Sequence, residues 1–199
     1  MTGSSGTHDR PFSVLFVCTG NICRSALGAQ ILNARLAAAG VTAGGRPIAV
    51  SSAGTGVGQG LEMPQEVVEQ SRRFGGSPEG HVPTSLDREL VAEADLILTA
   101  TREHRSVVAR LLPRASRVTF TLPQFARLVT EAPIVSDPWS LVDEVAAQRG
   151  SVPPPEDPED DVIEDPYRRS AVVYARVGDQ IYDHVSVIAD RLDQAVDRA

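Results

Sequence analysis

Apolar positions along this chain alternate between short unbroken runs and longer stretches spaced by three or four. Phe12–Val17 is the first run, closed by Pro11 on one side and by the glycine of CTGN on the other. A run this short and this apolar predicts a strand buried on both faces. Leu27, Ile31, Leu32 and Leu36 then follow at helical spacing, predicting a helix from Arg24 to about residue 39 that stops at Gly40. The pattern repeats. PIAVS (47–51) predicts a second strand and is followed by the glycine-rich loop SAGTGVGQG; 64–74 predicts a second helix, with Pro64 in its first turn. DLILTA (95–100) predicts a third strand, 101–112 a third helix with Thr101 as its N-cap, and 117–120 a short fourth strand. Two further helical stretches are read at 123–129 and 141–149. A long closing helix runs from Ser170 to about Ala195, with Val173, Val177, Ile181, Val185, Ile188 and Leu192 as its apolar stripe.

Strands alternating with helices imply an α/β fold of three layers, αβα, around a four-stranded parallel doubly wound sheet. Right-handed crossovers restrict the topology, and ligands of such sheets sit at the carboxyl ends of the strands. The polar segment 1–11 (MTGSSGTHDRP) reads as a flexible N-terminal tail, and 12–199 as a single domain. Inside it, SVPPPEDPEDDVIED carries seven acidic residues and no basic one. Prolines and charge repulsion predict an acidic, mobile insert at about 150–163.

Composition narrows the function classes. The formal net charge is −7 with no basic cluster, which argues against nucleic acid as a partner. No 18-residue apolar run or signal-peptide pattern is present, so the expectation is a cytoplasmic protein without membrane association, a monomer or weak dimer. The chain has two cysteines, Cys18 and Cys23, too few for a secreted disulfide framework and without histidines at zinc-ligand spacing. Neither a metal nor another cofactor is expected.

Both cysteines lie in VLFVCTGNICRS (14–25), between the first strand and the first helix. Such a loop aims backbone N–H groups and the helix dipole at one point, which makes an anion site. A cysteine at its mouth has its thiolate favoured by the same donors, and it faces the phosphorus of a bound phosphate ester. Five residues separate Cys18 from Arg24, whose planar fork can hold two phosphate oxygens. Gly20 allows a tight turn and Asn21 tolerates a left-handed conformation. Ser25 can donate a hydrogen bond to the thiolate.

This stretch resembles the signature of the low-molecular-weight protein tyrosine phosphatases. The similarity continues through VSSAGT (50–55), ADLILTATREHR (94–105) and IEDPYRR (163–169). The resemblance implies the phosphotyrosine protein phosphatase I-like fold, related to flavodoxin in topology. It implies hydrolysis of phosphomonoesters, protein phosphotyrosine above all, through a cysteinyl-phosphate. Cys18 would be the nucleophile, and Arg24 the phosphoryl-binding cation. Backbone N–H groups of Thr19, Gly20, Asn21, Ile22, Cys23, Arg24 and Ser25 would bind its oxygens. Asn21, Ser25 and Ser52 would form the supporting network.

The leaving group needs a proton and the intermediate an activated water, and one carboxyl group can serve both. Asp137 in SDPWS and Asp165 in EDPYR are the two Asp-Pro-aromatic candidates. The resemblance selects Asp165, just ahead of the last helix, with Tyr167 lining the cleft; Asp137 reads as a turn or N-cap residue. The acidic run would then hang at the site mouth and repel acidic substrates. The loop after SAGT lacks the tryptophan that relatives commonly place there, so one wall for a substrate ring is missing and a smaller phosphate ester stays open. Trp139 reads as packing, and His104 as a surface or capping residue. Cys23 is either an apolar filler or a redox partner of Cys18. Two other functions fit the loop: arsenate reduction with an external small thiol, since no cysteine follows Cys23, and a non-enzymatic anion-binding module.

Overall fold

The computed structural model describes residues 10–196; most of the expected tail, 1–9, and residues 197–199 lie outside it. Strand β1 (Ser13–Cys18) leads into helix α1 (Arg24–Ala39). A small hairpin of β2 (Thr42–Ala43) and β3 (Arg46–Pro47) precedes β4 (Ala49–Gly54). Then come α2 (Gln65–Arg73), α3 (Arg88–Glu93), β5 (Leu96–Thr99), α4 (Arg102–Leu111), a 3-10 turn over Pro113–Arg117, and β6 (Thr119–Thr121). Helices α5 (Leu122–Glu131) and α6 (Pro138–Ala147), a second 3-10 turn (Pro158–Asp161) and α7 (Ala171–Gln194) complete the chain.

The main sheet has the order β4-β1-β5-β6, and every pairing in it is parallel. Chain order reverses across β1, whose neighbours are β4 on one side and β5 on the other. That reversal opens a crevice at the carboxyl end of β1, where Cys18 stands opposite Gly54. Side chains of β1 alternate between two apolar clusters. Val14, Phe16 and Cys18 point into the larger one with residues of α1, α5, α6 and α7; Leu15 and Val17 point into the smaller one with Val91 of α3 and Val108 of α4. This period of two, with both faces covered, is why the run reads as continuously apolar. The expected three-layer architecture is therefore present. The stripe on α7 is buried at Val177, Ile181, Val185, Ile188 and Leu192, and the helix packs along α1, α5 and α2.

Four details depart from the sequence expectation. The second strand starts at Ala49 rather than 47, after the β2–β3 hairpin. Residues 113–117 form a turn, so the fourth strand is shifted to Thr119–Thr121. Helix α3 is an addition: Asp87 Oδ1 accepts from Leu90 N at 2.8 Å to cap six residues that bury Val91. The acidic run, expected as an unpacked loop, is anchored at both ends. Before it, the Arg149 guanidinium lies 3.7 Å from the centre of the Phe120 ring and donates to Ser116 O at 2.8 Å. Within it, Asp161 is 5% exposed and Ile163 1% exposed. The run's last residues are packed because an apolar Ile and a paired carboxylate supply burial that composition averages hide.

Candidate active site

The loop from Cys18 to Arg24 is rigid by construction. Asn21 sits in the left-handed region at φ 55° and is fully buried. Its amide Nδ2 donates to Ser25 Oγ at 3.0 Å and to Ser52 Oγ at 2.8 Å, while its Oδ1 accepts from Thr84 N at 2.8 Å. Ser25 Oγ lies 2.9 Å from Cys18 Sγ and 3.3 Å from Ala53 O. Since Asn21 already donates to that oxygen, the single hydroxyl proton is left for the sulfur or for Ala53 O. The expected set of Asn21, Ser25 and Ser52 is thus brought together beside Cys18.

The glycine that shapes the loop is Gly54 rather than Gly20. A Cβ at Gly20 would make ordinary contact, 3.5 Å from the Ile22 side chain. One at Gly54 would stand 2.5 Å from Thr19 O, 2.8 Å from Val57 Cγ2 and 3.0 Å from Asn21 N. The backbone after Gly54 wraps the loop from outside, with Thr55 N donating to Cys18 O and Gly56 N to Thr19 O, both at 2.9 Å. A second strap runs through 81–86. Gly54 N donates to Thr84 O at 2.8 Å, and a His81 Nε2–Asn21 O contact measures 2.6 Å. His81 and Thr84 were not anticipated, because nothing in HVPTS distinguishes them locally.

Arg24 opens α1 with its side chain 6% exposed. Its Nη1 donates to Ile163 O at 3.2 Å and its Nη2 to Asp165 Oδ2 at 2.8 Å; Nε is buried without a hydrogen-bond partner. Nε and Nη2 form one edge of the guanidinium, the edge suited to grip two oxygens of one anion. Asp165 is half-exposed, and its Oδ1 accepts from Tyr167 N at 3.2 Å. Tyr167 is exposed at the surface, and Arg168, in the left-handed region at φ 60°, stacks its guanidinium 5.1 Å from the Tyr167 ring. Asp137 instead caps α6, accepting from Ser140 N at 2.8 Å. It borders an open groove of about 860 Å³ between 134–144 and the end of α7, which no residue of the Cys18 loop lines.

The two thiols differ in surroundings, and both are free. Burial, with the neighbouring Cys18 adding to it, pushes the Cys23 thiol up to about 12, so it stays protonated. Trp139 packs edge-on against Phe12 at 5.4 Å. His104, expected as a surface or capping residue, is neither, since Thr101 caps α4. It is buried, with Nδ1 2.9 Å from Thr101 Oγ1 and Nε2 2.9 Å from Thr19 Oγ1, tying the start of α4 to the loop. Burial, assisted by the positive Arg24, holds its imidazole down at about 4.

A strand, an anion-shaped loop closed by one arginine, and a carboxylate on that arginine form a site for chemistry on a phosphoryl group. Comparison with known proteins agrees. The family model for low molecular weight phosphotyrosine protein phosphatase matches residues 13–147. A Klebsiella pneumoniae protein named putative low molecular weight protein-tyrosine-phosphatase is 34% identical over 103 residues, 52% of this chain and 65% of its own length. A Geobacillus stearothermophilus protein-arginine-phosphatase is 32% identical over 116 residues, 58% of this chain and 72% of its own. The fold is shared with the tyrosine phosphatase Wzb from Escherichia coli K30, solved with sulphate (TM-score 0.65, 22% identity, 92% of this chain and 99% of that one). With the matched stretch running from β1 through α6 and the loop geometry in place, the chain belongs to the low molecular weight phosphotyrosine protein phosphatase family.

Proposed function

We propose that the chain hydrolyses phosphomonoesters, with protein phosphotyrosine as its substrate class, through a cysteinyl-phosphate. The observation that carries this is the juxtaposition of Cys18 with Ser25 Oγ at 2.9 Å and of Arg24 with Asp165 at 2.8 Å. A phosphoryl group enters the loop, and Arg24 Nε with Nη2 takes two of its oxygens. Asp165, thereby displaced from Nη2 toward the leaving oxygen, loses its cation and takes up a proton from solvent. Cys18 thiolate attacks phosphorus, the P–O bond breaks, and Asp165 gives its proton to the departing phenoxide. Asp165, now a carboxylate, takes a proton from water as that water attacks phosphorus. The S–P bond then breaks, the thiolate returns with Ser25 donating to it, and inorganic phosphate leaves. Backbone N–H groups of 19–25 follow the equatorial oxygens throughout.

Two free thiols fit a reducing, cytoplasmic setting, and among the described residues no helix is long and apolar enough to cross a membrane. Four large apolar side chains are exposed among the described residues, Val82, Ile134, Tyr167 and Val172, which supports a monomer or weak dimer. Phosphoarginine is a second substrate reading, favoured by the name of the Geobacillus relative. Hydrolysis of para-nitrophenyl phosphate, a phosphotyrosine peptide and a phosphoarginine peptide by wild type and Cys18→Ser, with and without EDTA, tests both. Loss in Cys18→Ser with indifference to EDTA is expected, and the peptides rank the substrates. A wild type inactive on all three under reducing conditions overturns the proposal.

A further inference from the structure

We infer that Asp161, a residue of the acidic run, is a positioning residue that sets where Asp165 stands. This inference rests on the reading of Asp165 as the proton donor. Asp161 is the one member of the run's PEDD turn that is buried, its side chain 7% exposed. Two arginines from different helices meet it. Arg127 Nη2, from α5, lies 3.3 Å from Oδ1 and 3.4 Å from Oδ2; Arg102 Nη2, from the start of α4, lies 3.4 Å from Oδ2. Arg127 also fixes the earlier part of the run, donating to Pro153 O at 2.9 Å.

From Asp161 onward the backbone is held nearly residue by residue. Gln180 Nε2 donates to Val162 O at 3.3 Å, Ile163 N donates to Ala100 O at 2.8 Å, and Arg24 Nη1 donates to Ile163 O. The Ala100–Ile163 bond extends the carboxyl end of β5 toward the segment, and Asp165 follows two residues later. A carboxylate is costly to bury unless it is paired, so its presence here needs a role beyond filling space. Its partners sit on the two helices that flank the end of β5 and β6. Their pull fixes the segment against the sheet end, and through it the place of Asp165 beside Arg24. Asp161 pairs with Arg102 and Arg127, neither of which belongs to the Cys18 loop.

A positioning role has a signature that a purely stabilising one lacks. Misplacing the acid harms esters with poor leaving groups, which need its proton, and spares those with good ones. Asp161→Asn, nearly the same shape, is expected to lower kcat/KM for phenyl phosphate by about 10- to 100-fold. For 2,4-dinitrophenyl phosphate kcat/KM should change little, and competitive inhibition by inorganic phosphate should hold. Arg102→Gln, which removes a partner at the surface, is expected to give a weaker version should Asp161→Asn fold poorly. In an Asp165→Asn background the second substitution adds nothing to leaving-group sensitivity. Equal losses for both esters, or additive effects in that background, overturn the inference. A wild type that cleaves neither ester defeats the proposed function instead. Amide exchange then decides for Asp161: faster exchange at Ile163 N–H in Asp161→Asn supports the strap, and unchanged exchange refutes it.

Discussion

Asn21→Ala concentrates the strain of the loop in one side chain. The substitution removes three hydrogen bonds, to Ser25 Oγ, Ser52 Oγ and from Thr84 N, from a fully buried position. At roughly 1–1.5 kcal/mol net each, the three bonds amount to about 3–5 kcal/mol. For a chain of this size that lowers Tm by about 6–20 °C. Alanine also inherits φ 55°, which asparagine tolerates better. Asn21→Gly separates the two contributions, because glycine loses the same bonds but accepts the dihedral. It should be more stable than Asn21→Ala by about 0.5–1 kcal/mol after its own unfolded-state entropy is counted. The assay is thermal and urea unfolding of the three proteins, paired with KM for para-nitrophenyl phosphate. Equal stability of the two variants, or a loss under about 1 kcal/mol for either, would refute the view that this side chain holds the loop.

Other outcomes follow from neighbouring contacts. His104 is held down at about 4 in the folded protein, against 6.5 for an ordinary histidine, so the unfolded chain binds its proton first as pH falls. Stability contributed by neutral His104 is whole above about pH 6.5 and is lost down to about pH 4, up to about 3 kcal/mol. His104→Gln should flatten the stability profile in that window, and a profile identical to wild type would count against it. Gly54→Ala puts a Cβ 2.5 Å from Thr19 O and should distort the loop. Its mark is a raised inhibition constant for inorganic phosphate, and an unchanged constant would show that the loop has room. Asp137→Ala should cost about 1 kcal/mol as a lost helix cap while retaining turnover, whereas Asp165→Ala should lose turnover at near-native stability. A reversed pattern would move the acid to Asp137.

The readable part of the molecule was the part governed by local rules. The buried run before Cys18 and the helix after it follow from burial on both faces and from helical spacing. Asn21 in a left-handed conformation follows from its residue type. Hidden features depend on partners distant in sequence. Gly54 is one glycine among several in SAGTGVGQG, and only the approach of Thr19 O singles it out. Helix α3 buries a single residue, too weak a stripe to register as a period. Asp161 looked like one more solvated acid because its cations come from Arg102 and Arg127, 59 and 34 positions away. His104 reads from the sequence as a surface or capping residue; the cap of α4 is Thr101, and the reach of His104 to Thr19 depends on the fold bringing α4 to the loop.

The acidic run ties the lengths of the chain to its chemistry in an unexpected way. Arg149 pins one end against Phe120, and Asp161 pins the other between α4 and α5. Eight residues, 150–157, precede the second 3-10 turn between those pins. Loop closure costs only about 0.6 kcal/mol for each doubling of length. Residues added or removed at 154–156, between the hold of Arg127 on Pro153 O and the Asp157 cap of the turn, are therefore expected to leave Asp165 where it stands, because its place is counted from Asp161 and not from α6. The stretch is a place where a tag, a label or a binding peptide is expected to be tolerated a short way upstream of the proposed proton donor without moving it.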